Sequence, residues 1–207
     1  MNRKFVLSGV IALGAGIAQA DLISNGSFEE SPVYLGGSWA SLGGGSTAID
    51  GWTVFGTGVD YVGTLWAASD GERSVDLNMR AAGGGVAQTF ATISGETYEV
   101  EFDLSANMFN TPDGKILEIS AAGESKEFEY DYIAVGASAA DPKWQRVSWI
   151  FTADDSTTTL SFEGINSGAF GAAIDNVSVN EVGGVPAPSA MMALGFCGIA
   201  ASRRRRS

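Results

Sequence analysis

Histidine is absent from all 207 residues, and cysteine occurs once, at Cys197. Without imidazole the chain has no histidine-dependent triad, no imidazole metal site and no side chain whose ordinary pKa lies near neutrality, which closes most hydrolase mechanisms. Without a second thiol it forms no internal disulfide, so packing, with or without a metal ion, must hold the fold. Positive charge is scarce as well: 12 lysines and arginines stand against 24 acids. Six of the 12 are Arg3, Lys4, Arg203, Arg204, Arg205 and Arg206, while every acid lies between Asp21 and Glu181. Six basic residues therefore face 24 acids in that stretch, a formal charge of −18. Such a field argues against nucleic acid and anionic lipid as partners and suits cations and neutral ligands. No convincing long helical periodicity appears anywhere.

What is present begins with the two ends. Residues 1–20, MNRKFVLSGVIALGAGIAQA, have two early cations, an apolar stretch and the small-x-small ending Ala18, Gln19, Ala20. They read as a secretory signal peptide cleaved before Asp21. At the other end the linker 181–188 carries Val185, Pro186, Ala187 and Pro188. A short apolar helix is expected over 189–202, followed by a basic tail over 203–207. The 13 uncharged residues Ser189 to Ala201 reach only about 20 Å as a helix, short of a hydrocarbon core of about 30 Å. The run therefore suits a transient inner-membrane anchor, with the four arginines held on the cytoplasmic side. Cys197 within it acts as a small hydrophobe, lipidation being the alternative.

A proline box, an apolar helix and an arginine cluster in this order resemble the PEP-CTERM sorting signal of Gram-negative bacteria. The resemblance covers Val185 to Ser207 and implies an exosortase-type membrane protease as partner. Ala187 stands where that box usually has glutamate. A plain membrane tail that is never cut is the alternative.

Between the ends, residues 21–180 are long enough for one domain with a substantial core. Period-two alternation recurs, most clearly in TYEVEFDLSA, where Tyr98, Val100, Phe102 and Leu104 share one face and Glu99, Glu101 and Asp103 the other. Further strands are expected in RSVDLN, KILEISAA, RVSWIFTA, TTLSFEG and AAIDNVSV, separated by glycine-rich and Asp/Ser-rich turns. This spacing predicts an all-β antiparallel sandwich or barrel.

The opening LISNGSFEE, the segments IDGWTVFGTGVDYVG, DGERSVDLN and SGETYEVEFDLSAN, and the closing GAAIDNVSV together resemble the choice-of-anchor C domain of exported bacterial proteins. The match runs from Leu22 to Val179. It implies an antiparallel jelly-roll β-sandwich of galactose-binding-like fold, related to carbohydrate-binding modules, and no established activity. In calcium-stabilised jelly rolls similar to this one, a glutamate after the NGSFE-like opening and an aspartate in the IDNVSV-like closing share Ca²⁺ with backbone carbonyls. The matching positions are Glu29 and Asp175, with Ser27 as a carbonyl donor. Two surface carboxylates beside a strand end are the competing reading.

Two further constellations carry chemistry. Glu99, Glu101 and Asp103 follow one another on alternate positions, with neighbouring Cβ atoms roughly 7 Å apart, near the separation glycosidases use for acid and nucleophile. Their opposite face supplies core, so the row reads more simply as a solvated face, and the expectation is a protein that is not an enzyme. Aromatics in loops are the other signal: Trp39, Tyr61, Trp66 and Phe109 offer apolar faces for sugar C–H groups, with Asp60, Asn107 and Asn110 to read hydroxyls. Trp52, Trp144 and Trp149 lie in strand-like runs and are assigned to the core. The leading functional expectation is therefore a cell-surface or extracellular-matrix protein that binds glycan, for instance exopolysaccharide. A structural or adhesive matrix protein that binds proteins or itself is the second, and a glycoside hydrolase the third.

Overall fold

The computed structural model describes residues 21–35, 38–110 and 112–183. The expected signal peptide, the box Val185–Pro188, the short apolar helix and Arg203–Arg206 lie outside these residues. Eleven strands form: β1 (Trp39–Leu42), β2 (Thr53–Gly56), β3 (Val59–Val62), β4 (Ser74–Asp76), β5 (Gly84–Ala91), β6 (Thr97–Ala106), β7 (Gly114–Ala121), β8 (Glu124–Asp131), β9 (Gln145–Thr152), β10 (Thr157–Gly164) and β11 (Ala172–Glu181). No helix occurs among the described residues. The strands make two antiparallel sheets, one of six in the order β1-β3-β4-β11-β6-β9 and one of five in the order β2-β5-β10-β7-β8.

Alternation places the core between them. Tyr98, Val100, Phe102 and Leu104 of β6 are buried, as are Leu117 and Ile119 of β7 and Leu160 and Phe162 of β10. Phe102 meets Phe162 and Phe128 of the other sheet edge-on, with ring centroids 5.0 and 5.5 Å apart, so the inner faces interdigitate. Trp52 joins the same core against Phe28, and Trp149 stacks on Phe151, as their strand-like runs predict. Trp144 departs from its expected place. It precedes β9, is half-buried on the outer side of the six-stranded sheet against Val62, Trp66 and Ala173, and donates its indole N–H to Ala67 O.

The NGSFE opening proves to be a folding motif. Asn25 takes a positive φ of 53°, tolerable because its short amide bonds locally: it donates to Glu30 O and Asp50 O and accepts from Glu30 N. Trp52 Nε1 donates to Asn25 O. Gly26 lies so close to β11 that a Cβ there would stand 1.8 Å from Val177 O. Only glycine permits that approach, which Val177 N–H completes by donating to Gly26 O. The first segment thereby docks on the last strand.

Candidate functional site

The outer face of the six-stranded sheet is where polar groups accumulate. On β3 and β4 the alternation that turns Val59, Tyr61 and Val75 inward turns Asp60, Val62, Ser74 and Asp76 outward. The pairing aligns Asp60 with Asp76, and β11 aligns with β6 so that Asp175 stands opposite Asp103. The face thus carries two cross-strand carboxylate pairs, an arrangement that costs free energy unless compensated.

The pair Asp103–Asp175 is compensated by protein. A bulge between Asp175 and Ser178, with Asn176 at φ 50°, re-aims this stretch of β11. Asp175 Oδ2 accepts the N–H groups of Ser69 and Asp70 at 2.7 and 3.0 Å, and Oδ1 accepts Asn176 N–H. Asp103 accepts from the Ser69 hydroxyl and the Asn176 amide, and Arg146 of β9 reaches it at 3.4 Å. Arg146 also lies 3.7 Å from Glu101. Of the row Glu99, Glu101, Asp103, the last two are therefore tied to Arg146 across the β6–β9 pairing. Burial pushes Asp175 up to about 7, the Asp103 charge adding to it against the pull of the three N–H donors.

Glu29 engages the same loop from its other end, Oε1 accepting the N–H groups of Glu72 and Arg73, both at 2.7 Å. Ser27 lies in the turn that Phe28 N–H closes on Asn25 O. Glu29 and Asp175 thus serve one short loop, as carboxylates bound by backbone amides. No group of three or more His, Cys, Asp or Glu side chains is arranged to hold a metal among the described residues. Calcium there would need backbone carbonyl oxygens as ligands beside the two carboxylates.

Among the described residues no cation contacts the pair Asp60–Asp76. It lines a cleft of about 500 Å³ whose other walls include Trp39, Val62, Leu65, Met79, Phe109 and Phe170. Trp39 and Phe109 are 51% and 55% exposed, so two large aromatic rings on this cleft reach solvent. Asp60 Oδ1 accepts the Ser41 hydroxyl at 2.6 Å. Asp76 is fully buried; its Oδ1 accepts Asn78 N–H and Gly171 N–H, and its Oδ2 accepts Asn107 Nδ2 at 2.7 Å. Burial pushes Asp76 up to about 7, with the neighbouring Asp60 charge working in the same direction. Burial also raises Asp60, opposed by Ser41 and by the charge of Arg80.

Of the aromatics expected to bind ligand, the structure brings Trp39 and Phe109 to this cleft, with Asn107 and Asp60. It takes Tyr61 and Trp66 away. Tyr61 is in the middle of β3, faces inward, is fully buried and donates its hydroxyl to Phe28 O at 2.6 Å. Its Val-Asp-Tyr-Val context alternates and was a strand signal, not a loop. Trp66 belongs to the β3–β4 loop but folds back on the sheet, 4% exposed, its indole N–H donated to Ser74 Oγ. Asn107 is 5% exposed and spends one amide proton on Asp76 and its Oδ1 on Phe109 N–H, so it positions the cleft more than it reads a ligand. Sequence reasoning missed Asp76, Met79 and Phe170. The outward position of Asp76 in SVDLN was legible; the loops that roof it were not.

The described residues form a two-sheet antiparallel sandwich with an aromatic-walled cleft on a sheet face, an architecture of the jelly-roll class. Residues 21–180 match the family described as Protein of unknown function (DUF642), and the chain belongs to it. Halomucin of Haloquadratum walsbyi is 35% identical over 182 residues, which is 85% of this chain and 2% of the relative. The chain therefore spans about a fiftieth of the length of the curated relative it matches. Among solved structures, the CBM22-1 xylan-binding domain from Paenibacillus barcinonensis Xyn10C is similar at TM-score 0.50 and 19% identity, covering 81% of this chain and 98% of that domain. An arabinose-bound α-L-arabinofuranosidase is similar at TM-score 0.50 and 13% identity, over 79% of this chain and 26% of that enzyme. At these identities the likeness establishes the fold.

Proposed function

We propose that this protein is an exported, non-catalytic module that binds glycan in the cleft between Trp39 and Phe109. The observation that carries the reading is the pairing of two aromatic side chains, each more than half exposed, with hydrogen-bonding groups at Asp60 and Ser41 on the floor between them. Aromatic faces cover the apolar face of a sugar ring, and the floor groups orient its hydroxyls. The likeness in fold to a xylan-binding domain supports the reading. A glycan array probed with the purified protein tests it. Binders are expected, and Trp39→Ala is expected to weaken them by about tenfold or more; an array without a binder overturns the proposal.

A structural partner role through sheet edges is less favoured. The edge strand β8 exposes Glu124, Lys126, Glu127, Glu129 and Asp131, charges of the kind that keep edges from pairing. The delivery half of the proposal rests on sequence alone: a choice-of-anchor C protein with a signal peptide at 1–20 and an exosortase-read sorting signal from Val185 to Ser207, released to the surface or matrix of a Gram-negative bacterium. Mass spectrometry of the secreted protein tests it, and a C-terminus beyond Arg203 overturns the processing step. Structural Ca²⁺ near Glu29 and Asp175 belongs to the same proposal, supported by the burial of Asp175 beside a second carboxylate.

A further inference from the structure

The two carboxylate pairs on the outer sheet face invite comparison, because the same strand alignment meets different surroundings. Where the pair is structural, the chain supplies a cation: Arg146 contacts Asp103 beside Asp175. Among the described residues lining the cleft, the charged ones are Asp60 and Asp76, and no lysine or arginine of that lining offsets them. Lys115 lies behind the cleft, fully buried, and gives its ammonium proton to Asn110 O at 2.6 Å, with the Tyr132 and Phe170 rings 5.8 and 6.0 Å away. Arg80 is exposed and acts on Asp60 through space without an ion-pair contact.

Donors are short on this floor as well. Asp60 takes one hydroxyl, from Ser41, and Asn107 already spends its amide on Asp76 and Phe109. Asn78 Oδ1, fully buried beside Asp76, accepts no hydrogen bond. It and Asp76 Oδ1 lie 2.8 and 2.6 Å from where a Cβ on Gly171 would stand, so both pack closely on that backbone. Lys115 acts on Asp76 and Arg80 on Asp60 only through space, and a floor whose two carboxylates have no ion-pair contact among the described residues favours a ligand that brings donors and positive charge. The aromatic walls favour the same charge, since a ring face attracts a cation. An anionic sugar would be repelled here, and a neutral one would bring hydroxyl donors but no positive charge to offset the pair.

We infer that the cleft selects a cationic glycan, one whose sugar rings carry free primary amines, with the ammonium seated at Asp60 beside Asp76 and the ring against Trp39 or Phe109. This deepens the glycan-binding reading and rests on it. The formal charge of −18 between Asp21 and Glu181 would draw such a polymer in from a distance.

Titration calorimetry on the purified protein tests the inference with three hexamers: a β-1,4-linked glucosamine, its fully N-acetylated counterpart and an oligogalacturonate. The expected result is binding of the amine at least about tenfold tighter than of the acetylated hexamer, and none of the uronate. Raising salt from about 50 to about 500 mM should shrink that ratio, because the distinguishing contact is ionic. Asp60→Asn should bring the ratio toward one, and the salt series on the unaltered protein keeps the test valid if that variant fails to fold. Equal affinity for the two glucosamine-based hexamers, or a ratio indifferent to salt, overturns the amine selectivity. If neither hexamer binds while a neutral glycan on the array does, the selectivity falls and the glycan reading stands. If no glycan of any charge binds, both fall.

Discussion

Glu29 and Asp175, 146 positions apart in the chain, hold opposite ends of one loop: Asp175 takes the N–H groups of Ser69 and Asp70, Glu29 those of Glu72 and Arg73. Each carboxylate takes the place of water on two backbone amides. The loop they fix also supplies Trp66 just before it, which packs over Ser74.

Removing either anchor should therefore cost stability, and Asp175 should cost more because it is fully buried. Asp175→Ala is expected to destabilise by about 2–4 kcal/mol and Glu29→Ala by about 1 kcal/mol. Urea unfolding of the two single variants and the double variant checks this, with a double-variant loss smaller than the sum, since both act on one loop.

The pH dependence has a definite sign. Asp76 and Asp175 are raised from 3.8 to about 7 by burial, so each folded carboxyl binds its proton more tightly than the unfolded one. Their contribution is fully present below about pH 4 and is lost as pH rises through about 7, at up to about 1.4 kcal/mol per pH unit for each fully shifted group. Thermal melts between pH 4.5 and 8 should fall toward the alkaline side, and Asp175→Asn should flatten the fall. A melting temperature that rises steadily with pH would contradict the assignment.

Calcium changes that expectation at one of the two groups only. A cation at Asp175 would favour its charged form, so added Ca²⁺ should raise the melting temperature most at the alkaline end, and a chelator should reverse the gain. The Asp76 portion of the pH dependence should persist. No response to chelator would exclude a structural calcium ion.

Two aromatic substitutions should separate folding from recognition. Tyr61→Phe removes the hydrogen bond to Phe28 O and is expected to cost about 1 kcal/mol of stability while leaving glycan affinity as it was. Trp39→Ala touches an exposed ring and should do the opposite. Calorimetric melts beside the binding titrations read both effects, and a loss of affinity in the Tyr61 variant would point to a site other than the cleft.

Much of the sandwich was legible in the sequence because one face of β6, β9 and β11 is dominated by apolar side chains. Tyr98, Val100, Phe102 and Leu104 announce their own burial, and they are buried. The short strands were harder. Tyr61 sits in a strand of four residues flanked by glycines, too brief for alternation to outweigh the turn signals around it. The site was half legible: Trp39 and Phe109 stood out as aromatics in polar loops, but nothing local distinguishes them from Trp66, whose burial depends on Ser74 and the loop held by Glu29 and Asp175. Asp76 was hidden for the same reason. Its neighbours Asn107 and Gly171 lie 31 and 95 residues away, and only tertiary contact reveals that they close around it.

Leu22 N–H donates to Val179 O, and Val179 N–H donates to Asp21 Oδ1, so the backbone enters and leaves this fold at adjoining points. A unit built that way behaves as a cassette: it can be spliced into an exposed bend of another polypeptide, or strung in series, without prying its host apart. The same geometry means that a pull applied across the two junctions would load only a few hydrogen bonds at a time, peeling the first segment from β11 before the remaining strands bear any force.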